Sequence, residues 1–145
     1  EGSGRRHVTG LDLRRLQLVT AVLDRAGVGV GRSDVFGASP GGVRLDDPAC
    51  DLAVAAAVAS AATGVAPPEG AAFVGEIALT GRVHAAPAMA QRLQAARAAG
   101  CTSVYAPAGA GPGTTDLLVI PVAEVRDALG WALPPASMRP RSLPA

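Results

Sequence analysis

No lysine occurs among the 145 residues, although arginine occurs 13 times. That absence excludes any site in which a serine nucleophile is served by a neutral lysine amine, because a guanidinium stays protonated and has no lone pair to offer as a base. It also excludes a GxxxxGK[ST] phosphate loop. The glycine-rich stretch Gly37–Gly42 (GASPGG) lacks both the lysine and the hydroxyl that would ligate magnesium, and reads as a turn between strands. Aromatic residues make up only 3% of the chain, one Trp, one Tyr and two Phe, too few for a platform on which single-stranded bases stack. The two cysteines, Cys50 and Cys101, form neither a disulfide framework nor a metal-binding spacing. The longest apolar run, Leu52–Ala62, is too short to cross a bilayer, and the first residues do not have the pattern of a secretory leader. A soluble, cytoplasmic protein without membrane contact is the expectation.

What is present is a small-residue hydrophobic chain, 49% apolar and rich in Ala, Val and Leu, long enough for one domain with a real core. The net charge is only +1, but residues 1–44 hold seven arginines against four acids, whereas residues 45–145 hold six against eight. A modestly basic first third is compatible with polyanion binding. Residues 1–10 are small, polar and basic and read as a linker. From Leu11 to Ala26 apolar residues recur at helical spacing, with Asp12 as N-cap and Gly27 as terminator. Short strands are expected at 34–38 and 43–45. A second helix opens at Asp46-Asp47-Pro48, runs to Thr63, and is apolar on nearly every side, as buried helices are. A strand over 73–79, a return strand from Val83, a helix over 87–99, strands at 102–106 and 116–120, and a helix over 121–129 complete a mixed α/β pattern. The Pro-rich tail 134–145 is expected to be disordered.

Arg14 and Arg15 stand out among candidate binding residues. Two cations in the first turn of a helix oppose the macrodipole, by a few tenths of a kcal/mol each, roughly, which a nearby phosphate would offset. Arg5 and Arg6, beside His7, form a basic arm able to track a nucleic-acid backbone, while Arg32, Arg44 and Arg82 flank loops or strand ends. Arg92 lies on the third helix with Arg97, too far along it to share one tight patch. With so few aromatics, any nucleic-acid contact is expected to run through phosphates and to ignore base sequence. Three further groupings have bland explanations. Cys50 with His84 could be imagined as a hydrolase nucleophile and base, but cysteine is a common buried small residue and single cysteine–histidine pairs arise readily by chance. Asp46, Asp47 and Asp51 form an acidic corner whose first two members suit helix capping better than a metal. Glu76 and Arg82, across the Thr80-Gly81 turn, are expected to pair across two strands.

Three blocks occur in a telling order: DVF followed by GGVR and the helix opening DPACDLAVA, then GEIALTGRV, then MAQRLQAARAAGCTSVYAP. Together they resemble the Lon-protease-like C-terminal domain of the bacterial RadA (Sms) family, over nearly all of residues 8–130. The resemblance implies a Lon-like, ribosomal protein S5 domain 2-like α/β fold, a mixed sheet packed with helices over residues 11–133. It makes residues 1–10 a linker from an ATPase domain. In Lon-type proteases the serine falls where Ala49 stands and the lysine where Ala90 stands, so the resemblance implies a non-catalytic domain. It further implies a scaffold of a DNA repair and recombination ATPase that assembles as a ring, with a hexamer as the expected state. That scaffold would hold double-stranded or branched DNA during branch migration. No cofactor is expected in this chain, since ATP, magnesium and zinc belong to N-terminal domains of such proteins. The alternatives are an oligomerisation module without DNA contact and, remotely, a Cys50-dependent hydrolase.

Overall fold

A computed structural model describes residues 2–133. The chain begins with strand β1 (Arg6–Thr9), crosses through helix α1 (Leu13–Ala26) and returns as β2 (Val35–Ala38), parallel to β1 with His7 opposite Phe36. Residues 6–9 are therefore part of the domain, not of a linker. The alternation of Arg6, His7, Val8 and Thr9 lets Arg6 and Val8 face inward while His7 faces out and stacks on Phe36. Asp12 caps α1 by accepting from the Arg15 N–H at 3.1 Å, and Gly27, at a φ of 99°, ends it in the left-handed conformation that glycine adopts without strain.

Two short 3-10 turns, Pro40–Gly42 and Pro48–Cys50, lead into helix α2 (Asp51–Thr63). The segment 43–45, expected as a strand, contributes only an isolated bridge between Leu45 and Leu11. The expected strand 73–79 is divided. Its first part is β3 (Ala71–Phe73), and its second, β4 (Glu76–Ile77), pairs antiparallel with β5 (Val83–His84). The division has a local cause. At Gly75 the backbone leaves the sheet, its N–H donating to the Ala49 carbonyl and its carbonyl accepting from the Leu52 N–H. Helix α3 (Met89–Ala98), strand β6 (Ser103–Pro107) and strand β7 (Leu118–Val122) follow, with β3, β6 and β7 forming a parallel sheet in that order. Pro121 sits in β7 rather than opening the last helix, which is the single turn α4 (Val125–Ala128). The Pro-rich tail lies outside the described residues. The class is α/β, as expected.

The main core joins α1, α2 and α4 through Leu23, Leu52, Ala55, Ile77, Val125 and Leu129, and a smaller cluster around Leu93 and Val104 lies beneath α3. Each fully buried Leu or Ile removes enough apolar surface from water to contribute about 1.5–3 kcal/mol. Alanines on the inner face of α2 let it approach α1 closely, but its other flank, with Ala53, Ala57 and Ala61, stays exposed.

Candidate nucleic-acid interface

The acidic corner at the start of α2 organises much of the arginine chemistry. Each of its carboxylates faces a different arginine: Asp46 takes Arg44 at 2.8 Å, Asp47 takes Arg92 at 2.7 Å, and Asp51 takes Arg15. The third pair is the most enclosed. Asp51 has 3% of its side chain exposed and receives a forked contact, Arg15 Nε donating to Oδ1 at 3.1 Å and Nη2 to Oδ2. Its Oδ2 also accepts from the Ile77 N–H at 3.0 Å, and Glu76 lies 3.7 Å from the same guanidinium. One carboxylate thus ties α1, α2 and β4 together. The contact with Asp51 raises the already high pKa of Arg15. Glu76 stands opposite His84 in the hairpin and has Arg15, not Arg82, as its ion-pair neighbour among the described residues.

Arg92 joins the two segments that carry Ala49 and Ala90. Ala49 is buried at the start of the second 3-10 turn, its N–H donating to Asp47 Oδ1 at 2.9 Å, and Ala90 is exposed in the first turn of α3. The Ala49 N–H and then Arg92 hold the Asp47 carboxyl below the usual aspartate range. Ala88, just before α3, adopts a left-handed φ of 58°. Neither alanine offers a nucleophile or a base. Burial, with Asp47 nearby, pushes the Cys50 thiol up, opposite to what a reactive thiolate needs, and His84 is exposed on β5 without a contact to it among the described residues. No cluster of three or more His, Cys, Asp or Glu side chains able to hold a metal ion occurs among the described residues.

The remaining candidate arginines separate into held and displayed groups. Arg5 forms a forked pair with Asp34 at 2.8 Å, and Arg6 fills its guanidinium with the carbonyls of Val30 and Ser33 and the Thr20 hydroxyl. Arg97, on α3, pairs with Asp116 at 2.9 Å. Arg32 is exposed in the loop before β2. Arg14 and Arg82 are exposed, and among the described residues neither has an acid within ion-pair distance. Arg25 and Arg126, which sequence reasoning passed over, share that condition. On a helix turning about 100° per residue, Arg14 and Arg25 fall within about 20° of one stripe and about 16 Å apart along α1. The Arg25 guanidinium reaches the Leu79 carbonyl at 3.4 Å, beside the turn that carries Arg82. The Gly81 carbonyl of that turn accepts from the Val125 N–H at 2.9 Å, which brings up α4 and Arg126. Four guanidinium groups without an acid partner among the described residues therefore lie on α1, at the β4–β5 turn and on α4. The signal for Arg25 was its 11-residue separation from Arg14, a helical repeat. Asp24, Glu124 and Asp127 lie close in sequence and accept backbone N–H groups, so they moderate the local field without pairing with the arginines.

The family described as Lon protease (S16) C-terminal proteolytic domain matches residues 32–133. DNA repair protein RadA of Streptococcus pyogenes serotype M3 is 44% identical over 113 residues, 77% of this chain and 25% of that protein. The RadA of Brucella abortus is 41% identical over 111 residues (76% and 24%), and that of Streptococcus pneumoniae 39% over 132 residues (88% and 31%). The chain spans between a quarter and a third of the length of most of these relatives. Among the described residues no helix is long and apolar enough to cross a membrane.

Proposed function

Because this chain belongs to the Lon-type C-terminal domain family, in the form found in RadA proteins, we propose that it is a non-catalytic scaffold domain of a DNA repair ATPase, which binds duplex DNA by its phosphates and assembles with copies of itself. The observation that carries this reading is the separation of the arginines. Those at the acidic corner and at the start of β1 are held by internal partners, while Arg14, Arg25, Arg82 and Arg126 are exposed and, among the described residues, have no acid within ion-pair distance. Arginine suits the task, since its planar fork matches phosphate oxygens in pairs. With three acids close by and a net charge of +1, one copy binds weakly. Several copies around a ring multiply the contacts, and a salt-sensitive grip emerges from individually small terms. In this reading Ala49 and Ala90 are no longer a site, and ATP turnover and DNA translocation during recombination belong to other parts of the full-length protein in the cytoplasm.

The test is anisotropy of a labelled duplex titrated with the domain at several salt concentrations. Arg14→Ala and Arg25→Ala are each expected to weaken binding and to reduce the salt slope by about 0.9 for each phosphate contact removed. Arg44→Ala, which removes a paired cation, is expected to change little. Absence of binding at low salt in a sample shown to be oligomeric would leave a purely structural assembly module, the reading that the low net charge favours.

A further inference from the structure

Helix α3, we infer, is a latched cover: it opens from the sheet as one unit, without unfolding of the main core, when the two ion pairs that hold it are released. The parallel sheet divides the domain into two cores. Phe73, Tyr105 and Ile120 share one face by register, and the first two pack into the main core with α2. Ala72, Val104 and Val119 share the opposite face, on which α3 lies. The apolar anchorage of α3 is thin. Leu93 is its one buried residue and Met89 is partly buried, whereas α2 buries Leu52, Ala55, Ala56 and Ala59.

Charge supplies the rest of the hold. Arg92 reaches Asp47 at 2.7 Å and ties the helix to the entry of α2, while Arg97 reaches Asp116 at 2.9 Å and ties it to the segment entering β7. The two arginine side chains are 29% and 54% exposed, so dissolved ions reach both pairs and screen them. The ends of α3 are built to turn. It starts without a side-chain cap from Ala88, whose left-handed φ of 58° is strained for alanine, and opening relieves that strain. Gly100, at a φ of 85°, follows its last turn with no such cost. An element with few apolar contacts and a polar hold belongs to the low-stability end of a fold and opens on its own. Its release bares Leu93 and Val104 and frees Asp47 from Arg92, so ionic conditions govern access to this face of the sheet.

Native-state hydrogen exchange followed by mass spectrometry at low urea concentrations tests the latch. Amides of residues 92–98 are expected to exchange at least about tenfold faster than those of residues 52–59, with a shallower dependence on urea. Raising salt from about 0.01 M to about 1 M shortens the screening length from about 30 Å to about 3 Å and should speed exchange at 92–98 about threefold. Arg92→Gln and Arg97→Gln should each speed it about twofold at low salt, and Arg97→Lys, which keeps the charge, by less. One rate and one urea slope for both segments would make the domain a single cooperative unit. Fast exchange at 92–98 that neither salt nor the glutamine variants alter would mean that the ion pairs are no latch. Either result overturns the inference.

Discussion

Replacing Asp51 by alanine isolates the contact on which the packing of α1 against α2 and β4 turns. The substitution removes a carboxylate that is almost wholly enclosed and strands two donors, the Ile77 N–H and the Arg15 guanidinium. A buried N–H left without an acceptor costs about 1–3 kcal/mol. Breaking a fully buried ion pair from one side costs about 3–5 kcal/mol, but Arg15 retains 29% exposure and has Glu76 at 3.7 Å, so its share falls to about 1–2 kcal/mol. Asp51→Ala should therefore cost about 3 kcal/mol. In a chain of 145 residues that lowers the melting temperature by about 10 °C. Asp51→Asn, which keeps the shape and one acceptor oxygen, should cost about half as much. Urea unfolding followed through the single tryptophan, Trp131, whose Nε1–H donates to the Ala128 carbonyl at 2.8 Å, reads the loss as a lower midpoint at unchanged slope. Pairing the change with Arg15→Met gives the coupling, expected at about 1–2 kcal/mol because the second substitution removes the stranded charge. A loss below about 0.5 kcal/mol together with strict additivity would refute the reasoning and return Arg15 to the surface as a ligand-binding residue.

Acidification should act through Asp34, Asp47 and Asp116, whose carboxyls are all held below the ordinary aspartate value, chiefly by Arg5, by the Ala49 N–H with Arg92, and by Thr114 with Arg97. A depressed folded pKa contributes stability above the unfolded value of about 3.9 and loses it as pH falls through the folded value, so melting should be flat from about pH 7 to 5 and decline below about 4. A decline already complete at pH 5 would contradict this. Ala88→Gly should relieve the left-handed backbone before α3 and raise stability by up to about 1 kcal/mol, checked by thermal melting, where a drop would be inconsistent with the strain. Cys50 should react with iodoacetamide at pH 7 more slowly than free cysteine, since its thiol is pushed up by burial, and a faster reaction would revive it as a nucleophile.

Much of the fold could be read from local signals. Asp12 and Gly27 marked α1, and Pro48 and Gly64 framed α2, because caps and terminators act within one turn of the helix they bound. Strand β1 escaped reading because four residues that open on an arginine and a histidine resemble a tether until a parallel partner 29 positions away is known. The division of the strand at Gly75 depends on the Ala49 carbonyl, which no local pattern reveals. The candidate site was legible only in part, for the same reason. Thirteen arginines look alike in sequence, and what separates Arg15 from Arg14 is an aspartate 36 residues further on. The vacated positions Ala49 and Ala90 came from family resemblance rather than from any pattern intrinsic to the chain.

Neighbouring arginines on α1 also divide two kinds of work. Arg15 points inward and is clamped, which fixes the roll of the helix about its own axis, whereas Arg14 and Arg25 ride on the outer side of the same rod. A ligand meeting that side encounters cations whose backbone is already set in place, so the ordering cost of association is confined to the long side chains themselves. The clamp thus acts as a bearing locked in one position, and the spacing of about 16 Å along the axis between the backbone positions of Arg14 and Arg25 is a fixed gauge rather than an average over a rocking helix.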